Sequence, residues 1–490
     1  MRKNPTLYEI NTRIFMQRLS AKYGRPLTLV TVPREEWGTV VSKGFDFIWL
    51  MGVWQRSRAS REEALNNDVL RQRYDIVLPG WSDGDIDGSP YAIAEYTLDS
   101  GLGAPGDVTR LKAQLNSLGV RLILDFVPNH LARDHRWTGT HPEWFVRGEQ
   151  KDVCVHPERY FSPDGKIYLA HGRDPYFSSW ADTVQLNFFS EESRQAMINE
   201  LRYIAEVADG VRCDMAMLAL NSVFQQVWGD VVKEKPLKEE FWTEAIVQVK
   251  QEHPEFLFLA EAYWGRGPEL QKLGFDFTYD KTLYDKLVSA ASPEIGDYLK
   301  ENDINLNRSV HFIENHDESR AAAVFGKEKS LAAAVIMATV PGMRLFHDGQ
   351  LEGRKLHLPV QMVRAPEEVE DVAIKKFYRH LLEICQDSLF HDGEWIVLEP
   401  QEAWPGDEKY RNLLSWYWQQ GEQVRLTVVN YSAEQAQCWL SLPFLAEREK
   451  DVIFHDLLSS ISYPREIFEL KNKGLYISLA PWQTHILEID

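Results

Sequence analysis

The chain has 490 residues, which is too long for one small domain and long enough to bury a large core without disulfides. Its formal net charge is −19, from 54 Lys and Arg against 73 Asp and Glu, and such an acidic surface repels phosphate backbones and anionic membranes. Nucleic acid and membrane are therefore excluded as expected partners. The N-terminal residues lack an apolar run of signal-peptide length, and no uninterrupted apolar stretch reaches the roughly 20 residues that span a bilayer, so we expect a cytoplasmic protein.

Eight short apolar runs alternate with helix-patterned segments over the first 350 residues. Several runs are continuously apolar, which is typical of parallel strands buried on both faces. The predicted strands are Thr6–Ile10, Phe45–Met51, Arg121–Val127, Gly210–Cys213, Phe256–Ala260, Phe275–Tyr279, Ser309–Ile313 and Met343–His347. Eight strands with intervening helices predict an α/β fold, a (β/α)₈ TIM barrel, rather than an open sheet.

Two regions depart from this alternation. The connection after the third predicted strand is too long for one crossover helix and is rich in Trp, His, Arg and Pro, so residues 131–189 are predicted to form an inserted subdomain. After about residue 390, short strands separated by turns replace the strand–helix pattern. We therefore predict a catalytic barrel over residues 1–390, including the insertion, and a C-terminal antiparallel β-sandwich domain over residues 391–490.

Acidic residues stand at the ends of four predicted strands, where barrel enzymes carry their reactive groups. Asp125 lies near the end of the third strand, Asp214 follows the fourth, Glu261 follows the fifth and Asp317 follows the seventh. One such residue alone is more often a helix cap or a loop residue. Four of them at separate strand ends indicate a shared site, since a buried carboxylate without partners is unfavourable by several kcal/mol.

Carboxylates that face one cavity suit the cleavage of glycosidic bonds. An ionised carboxylate attacks the anomeric carbon while a protonated carboxyl donates to the leaving oxygen. Arg212, two residues before Asp214 and on the same strand face, is expected to keep Asp214 ionised. Glu261, facing two other carboxylates, is expected to stay protonated.

These strand ends resemble the conserved regions of the α-amylase family, glycoside hydrolase family 13. DFVPNH is similar to the first region, GVRCD to the second, the glutamate of LAEAYW to the third and ENHD to the fourth. The resemblance covers the barrel, the insertion and the C-terminal domain. It implies that Asp214 is the nucleophile, Glu261 the general acid/base and Asp317 the carboxylate that binds the distorted sugar. The substrate-binding residues that it implies are Tyr91, Asp125, His130, Arg212, His316 and Arg320.

The departures from the family pattern concern the acceptor side and the metal. In typical members a Lys-His pair stands shortly after the nucleophile and contacts the sugar beyond the cleaved bond. Met217 and Leu218 occupy these two positions in this chain. The family's calcium site uses an asparagine and an aspartate. In this chain Asn129 matches the asparagine, but Gln185 stands in place of the aspartate. Calcium requires several anionic oxygens, so the sequence predicts no cofactor, no metal site and a structural role for Asn129.

Arg320, in HDESR, is similar to an arginine of exo-acting α-glucosidases that pairs with an acid behind the substrate tyrosine. In GSPYAIAEY that position holds Ala92 rather than an acid, so the pair that closes the pocket is missing and the sequence is compatible with an open cleft.

The sequence thus predicts a retaining glycoside hydrolase that acts on α-1,4-linked glucans or malto-oligosaccharides through a covalent glycosyl-enzyme intermediate. A second hypothesis keeps the intermediate but transfers the glycosyl group to a sugar or phosphate, and HPEWF at residues 141–145 is similar to maltosyltransferase-type members. A third hypothesis, a non-catalytic glucan-binding barrel, is disfavoured because the carboxylates are all present. Chain length, endo or exo action and oligomeric state are not specified.

Overall fold

The computed structural model describes residues 2–301 and 305–490. The barrel strands are β1 (Thr6–Asn11), β2 (Phe47–Met51), β3 (Arg121–Phe126), β4 (Gly210–Cys213), β5 (Leu257–Ala260), β6 (Phe277–Tyr279), β7 (Ser309–His311) and β8 (Met343–His347). They form a closed barrel in the order β1-β8-β7-β6-β5-β4-β3-β2 with parallel pairing. The predicted (β/α)₈ barrel is confirmed.

The sequence explains why these runs are strands. All residues of β2, β4 and β5 are buried, as expected for strands covered on both faces. Gly210 pairs with Leu257 across β4 and β5, and a Cβ at Gly210 would lie 2.9 Å from the Leu257 Cβ. Only glycine allows this close approach at the start of β4, which carries the predicted nucleophile at its other end.

Helices connect the barrel strands. The helices of six residues or more between β1 and the C-terminal region, outside residues 54–98 and 131–189, are Thr12–Tyr23, Arg34–Val41, Asp107–Ser117, Glu191–Val207, Asn221–Trp228, Phe241–Glu252, Gly267–Lys272, Lys281–Ser289, Ser292–Lys300, Lys327–Thr339 and Val372–Ile384. Within the described part of the chain, none of the helices is both long and apolar enough to cross a membrane. The cytoplasmic location stays a prediction.

The described residues fall into two compact units. The first comprises residues 8–279 and 357–367 and contains the segment predicted as an insertion. That segment has short sheets of its own: His130–Ala132 pairs with Thr183–Gln185, and Tyr168–Ala170 lies between Arg147–Gly148 and Tyr160–Phe161. The long connection after β3 is therefore an ordered structure rather than an extended loop.

A second excursion, between β2 and β3, was not predicted from the sequence. Strand Trp54–Arg56 pairs with Ile93–Leu98, and helices Arg58–Asn66 and Asp68–Val77 lie between them. Residues 357–367 return to this segment, since Arg364 donates to both carboxylate oxygens of Asp85 at 2.6 and 2.8 Å. The hydrogen bond from Arg364 lowers the pKa of Asp85 to about 2. The excursion is thus closed by a distant part of the chain.

The second unit comprises the described residues within 1–7, 280–356 and 368–490. Its C-terminal strands are β9 (Glu394–Leu398), β10 (Leu413–Gln420), β11 (Gln423–Asn430), β12 (Ala436–Leu440), β13 (Val452–Asp456), β14 (Ile461–Arg465), β15 (Leu475–Leu479) and β16 (Thr484–Ile489). Six of them form an antiparallel sheet in the order β9-β10-β11-β16-β13-β14, and β12 pairs with β15. Both sheets bury side chains in one core, which confirms the predicted C-terminal antiparallel β architecture.

The predicted domain boundary at residues 390–391 does not separate the two compact units. The C-terminal strands pack with the helices around β7 and β8: Trp418 Nε1 donates to the Thr339 carbonyl at 2.6 Å, and the Tyr431 hydroxyl donates to the Leu287 carbonyl at 2.6 Å. The change from strand–helix alternation to antiparallel strands still occurs at Glu394. Element type and packing therefore divide the chain at different places.

Candidate active site

Arg212, Asp214 and Glu261 come together at the C-terminal ends of β4 and β5. Cys213 pairs with Ala260 across these strands, so Asp214 and Glu261 leave them at the same level. Arg212 Nη1 donates to Asp214 Oδ1 at 2.7 Å, and Arg212 Nη2 forms an ion pair with Glu261 Oε2 at 2.9 Å. One guanidinium group thus holds two predicted catalytic carboxylates side by side.

The environment of Arg212 keeps its side chain charged. The residue is 0 % exposed, and its guanidinium carbon lies 5.1 Å from the Trp49 ring, 5.3 Å from the Tyr91 ring and 5.6 Å from the Tyr279 ring. Burial opposes the charge, but the neighbouring acidic groups, Glu261 first, raise the pKa of Arg212 well above its ordinary value. A permanent cation in contact with Asp214 favours the ionised nucleophile.

Glu261 has two further donors. The backbone N–H of Met215 donates to Oε2 at 2.6 Å and the Tyr263 hydroxyl donates to Oε1 at 2.8 Å. Met215 has φ 41°, in the left-handed region that is unfavourable by about 1–3 kcal/mol for a residue with a side chain. Together with Arg212, these donors fix the orientation of the Glu261 carboxyl group, and its protonated resting form stays a prediction.

Asp125 is buried and satisfied by protein donors. The Trp49 indole donates to Oδ1 at 2.9 Å and the Gly52 N–H donates to Oδ2 at 2.7 Å. Since the Trp49 ring faces Arg212, Asp125 orients one wall around the guanidinium. The substrate contact implied for Asp125 by the family resemblance stays a prediction.

His130 and Tyr91 lie on the same unit as these carboxylates. Burial lowers the pKa of His130 to about 4, against the opposing effect of Asp182, so the imidazole is neutral near pH 7. A hydrogen bond connects His130 with the Tyr91 backbone, and its ring lies 5.0 Å from that of Trp180. Tyr91 is half-buried, with its ring against Arg212.

Asn129 and Gln185 form an amide pair where the family resemblance places a calcium site. Gln185 Nε2 donates to Asn129 Oδ1 at 3.0 Å, and Asn129 Nδ2 donates to Gln185 Oε1 at 3.2 Å. Each side-chain oxygen thus already accepts an amide hydrogen, and neither side chain carries a charge. A hard cation requires several anionic oxygens, so these residues do not fit calcium. The structural role of Asn129 stays a prediction.

Asp317 and His316 follow β7, in the second compact unit. His316 Nε2 lies 3.0 Å from Asp317 Oδ2. Asn315 Oδ1 accepts the backbone N–H groups of Asp317 and Glu318, both at 2.9 Å, which fixes the turn that presents the carboxylate. The Asp317 side chain is 44 % exposed, so it can contact a ligand.

Arg320 lies in a buried ion pair. Its Nη1 donates to Glu314 Oε1 at 2.6 Å and to the Asp348 carbonyl at 2.9 Å, and Glu314 Oε2 accepts the Ala321 N–H at 2.8 Å. Its acidic partner is thus Glu314, the first residue of ENHD, and not a residue next to Tyr91. This pair stabilises the turn after β7, and the substrate contact implied for Arg320 stays a prediction.

Replacing Glu314 by Gln is expected to destabilise the protein by about 3 kcal/mol at pH 7, because Arg320 keeps its buried charge without a counter-ion. Burial alone would raise the pKa of Glu314, but Arg320 and His347 outweigh it and lower that pKa below the ordinary value. The stabilisation is therefore full above about pH 4.3 and decreases as pH falls through the folded-state pKa. Thermal unfolding of wild type and of Glu314→Gln between pH 3 and 7 measures how the difference in stability depends on pH.

The exposed Glu447, replaced by Gln, is the control, and it is expected to leave the unfolding midpoint unchanged. A Glu314→Gln midpoint equal to wild type at pH 7, or a difference that grows as pH falls, would contradict the assignment.

Several residues of the site were not found from the sequence. Trp49 and Tyr279 lie within predicted strands, and nothing in those apolar runs distinguishes a ring that faces Arg212 from an ordinary core residue. Met215 contributes a backbone N–H, which no side-chain pattern reveals. Tyr263 could have been found, because it stands two residues after Glu261 and both follow the end of β5.

Most of the chain matches a known protein family. The family model described as "Alpha amylase, catalytic domain" matches residues 43–379. Among curated proteins, the chain is 26 % identical to alpha-amylase MalA of Haloarcula japonica over 322 residues, 64 % of this chain and 40 % of the relative. It is 28 % identical to the alpha-1,4-glucan:maltose-1-phosphate maltosyltransferase of Picrophilus torridus over 228 residues, 45 % of this chain and 30 % of the relative. The matches thus span less than half the length of these two relatives.

Among solved structures, a noncanonic maltogenic alpha-amylase, AmyB, from Thermotoga neapolitana aligns with a TM-score of 0.70 over 99 % of this chain and 98 % of its own, at 21 % identity. This likeness concerns the fold. The family model covers more than half of the chain and includes Tyr91, Asp214, Glu261 and Asp317. The chain therefore belongs to the alpha-amylase family, whose catalytic domain it contains.

Proposed function

We propose that the protein is a retaining glycoside hydrolase that acts on α-1,4-linked glucans or malto-oligosaccharides. The observation that carries the proposal is the contact of the buried Arg212 with both Asp214 and Glu261 at the ends of neighbouring strands. Two adjacent carboxyl groups, one for attack and one for proton transfer, are what a retaining mechanism requires. The similarity of the chain to the alpha-amylases MalA and AmyB supports an α-glucan as the substrate.

The reaction has two steps. Asp214 attacks the anomeric carbon as the glycosidic C–O bond breaks, and protonated Glu261 transfers its proton to the leaving oxygen. Water then attacks the same carbon, Glu261 takes the proton from that water, and the bond to Asp214 breaks. Arg212 keeps Asp214 ionised before the first step. Asp317 is proposed, by the family resemblance, to bind the distorted sugar.

A transfer reaction is the second candidate. The maltosyltransferase of Picrophilus torridus supports it, because such an enzyme passes the glycosyl group to an acceptor other than water. The chemistry at Asp214 is the same in both cases. The two reactions differ only in the acceptor of the second step. Glu261 removes a proton from water or from a sugar hydroxyl, whereas phosphate attacks through an oxygen that is already ionised.

Product analysis with malto-oligosaccharides, with and without phosphate or an added sugar, tests the proposal. Shorter oligosaccharides alone indicate hydrolysis, whereas glycosyl phosphate or longer chains indicate transfer. ¹H NMR of the first product shows an α-anomer if the configuration is retained. No product under any of these conditions, or an initial β-anomer, would contradict the proposal.

We also propose that the enzyme works without resident calcium, since Asn129 and Gln185 donate amide hydrogens to each other. Treatment with EDTA followed by gel filtration is expected to leave both kcat/KM and the unfolding midpoint unchanged. An α-amylase with a known calcium requirement, treated in parallel, is the control. Activity lost with EDTA and restored by Ca²⁺ would contradict this prediction.

A further inference from the structure

A groove on the first compact unit lies between helix Thr12–Tyr23 and the segments around residues 84–87 and 101–102. Its volume is about 710 Å³, within the range of about 300–1,000 Å³ that is typical of small-molecule sites. Every residue that lines it belongs to this unit. The predicted catalytic and substrate-binding residues are not among them, so the groove is separate from the candidate active site.

The charge of the groove is opposite in sign to that of the chain. Three arginines, Arg13, Arg25 and Arg61, line it, and Asp87 is the one acidic residue among the described residues of its lining. The whole chain carries a formal net charge of −19. A concave surface with an excess of positive charge concentrates anions, because a cleft focuses the field of its charges. We call this groove the arginine groove.

Arg13 has a fixed position in one wall of the arginine groove. Its Nη2 forms ion pairs with Asp99 Oδ2 at 2.6 Å and with Asp87 Oδ2 at 3.6 Å. Gly101 leaves room for the guanidinium group, since a Cβ there would lie 2.8 Å from Arg13 Nη1. The buried Arg13 Nε–H has no hydrogen-bond acceptor among the described residues. Buried donors without an acceptor are rare, and a bound acceptor would complete this wall.

Arg61 and Arg25 carry charges that the protein does not neutralise. The Arg61 guanidinium is held by uncharged acceptors, since Nε donates to the Ile86 carbonyl at 3.0 Å and Nη2 donates to the Asp83 carbonyl at 2.6 Å. Arg25 is exposed, and its backbone N–H donates to the Ser20 carbonyl at 3.2 Å where the helix ends. Within the described part of the chain, neither arginine forms an ion pair. Both charges are therefore available to an anionic ligand.

The chemistry of the lining suits a phosphate group attached to a sugar. A guanidinium group is planar and donates two parallel hydrogen bonds to phosphate oxygens, which makes arginine the preferred residue for this anion. The groove is larger than a phosphate ion requires, and Gln17 and Ser20 also line it. Amide and hydroxyl groups can both donate to and accept from sugar hydroxyls. A small molecule with both parts therefore matches the lining better than either part alone.

We propose that the arginine groove binds a phosphorylated sugar, with the phosphate on Arg25 and Arg61 and the sugar ring beside Gln17 and Ser20. This ligand is anionic, unlike the neutral glucan of the proposed function, so the protein recognises a second class of small molecule. The site does not depend on the proposed function, because its occupancy is measured without turnover.

Isothermal titration calorimetry with glucose 1-phosphate, glucose 6-phosphate, orthophosphate and glucose tests the site. At least one of the sugar phosphates is expected to bind more tightly than orthophosphate and than glucose. Arg25→Ala and Arg61→Ala are each expected to weaken its binding about tenfold, because each removes a charge-assisted hydrogen bond. Arg25→Lys should keep more of the affinity than Arg25→Ala. Arg34→Ala, at an exposed arginine outside the groove, is the control and should bind like wild type.

The site is overturned if neither sugar phosphate binds to wild type, or if Arg25→Ala and Arg61→Ala bind as tightly as Arg34→Ala. Because Arg25 is exposed, its variant decides even if Arg61→Ala fails to fold. Equal affinity for orthophosphate would overturn the assignment to a phosphorylated sugar.

A competition experiment separates the groove from the candidate active site. The sugar phosphate is titrated into the Asp214→Asn protein with and without saturating maltotetraose. Unchanged affinity supports the arginine groove, whereas displacement by maltotetraose would place the ligand in the active site and overturn the proposal. If maltotetraose itself does not bind, the proposed function is in question, and the Arg25 variants still decide the site.

Discussion

The Asp214→Asn substitution is expected to lower kcat/KM on malto-oligosaccharides by about 10⁴-fold or more, because an amide cannot form the glycosyl ester that the mechanism requires. Asn has the same shape as Asp, and Arg212 keeps its ion pair with Glu261. We therefore expect the variant to fold, with a circular dichroism spectrum like that of wild type. Initial rates on maltotetraose measure the effect.

Asp230→Asn is the matched control, since Asp230 is an exposed residue of the same compact unit, and it should leave the rate unchanged. An Asp214→Asn protein that keeps a tenth of the wild-type rate would show that the nucleophile has been assigned to the wrong residue.

The Glu261→Gln substitution is expected to have the second largest effect, lowering kcat/KM about 10²- to 10⁴-fold on substrates with a sugar leaving group. A fluoride leaving group needs no proton, so formation of the intermediate from α-maltosyl fluoride should be much less affected. The intermediate then persists because no base activates water. Azide, which attacks without a base, is expected to restore turnover and to give an α-glycosyl azide.

Tyr263→Phe serves as the comparison for this variant. It removes the hydroxyl that donates to Glu261 Oε1 but keeps the carboxyl group, so its loss on maltotetraose should be well below that of Glu261→Gln. If Glu261→Gln lost equal activity on the fluoride and on maltotetraose, and azide had no effect, proton transfer by Glu261 would be refuted.

The barrel and its strand-end carboxylates could be predicted because the information is local in the sequence. Continuous apolar runs such as FIWLM and LFLA bury both faces of a strand, and the reactive residue stands directly after the run. Arg212 and Asp214 are two residues apart in the chain, so their contact follows from strand geometry. The second contact of Arg212, with Glu261, depends on the register between β4 and β5, and the sequence alone does not reveal that register.

Features built from segments that are distant in the chain could not be predicted, because their contacts leave no local pattern in the sequence. The excursion at residues 54–98 has a small core that includes Ile86 and Met362, which are far apart in the chain. Strand β14 is an edge strand that contains Pro464 and is mostly exposed, so it lacks the pattern of a buried strand. Arg320 pairs with Glu314 across a turn rather than with an acid next to Tyr91, and this pairing depends on the turn geometry, which the sequence does not show.

The most direct test of the central claim is mass spectrometry of the enzyme after reaction with 5-fluoro-α-maltosyl fluoride, which forms a glycosyl-enzyme that hydrolyses slowly. The account predicts a mass increase of one fluorinated maltosyl group on the peptide that contains Asp214, and none in Asp214→Asn. A label on another carboxylate, or turnover of the reagent without any covalent enzyme species, would contradict it.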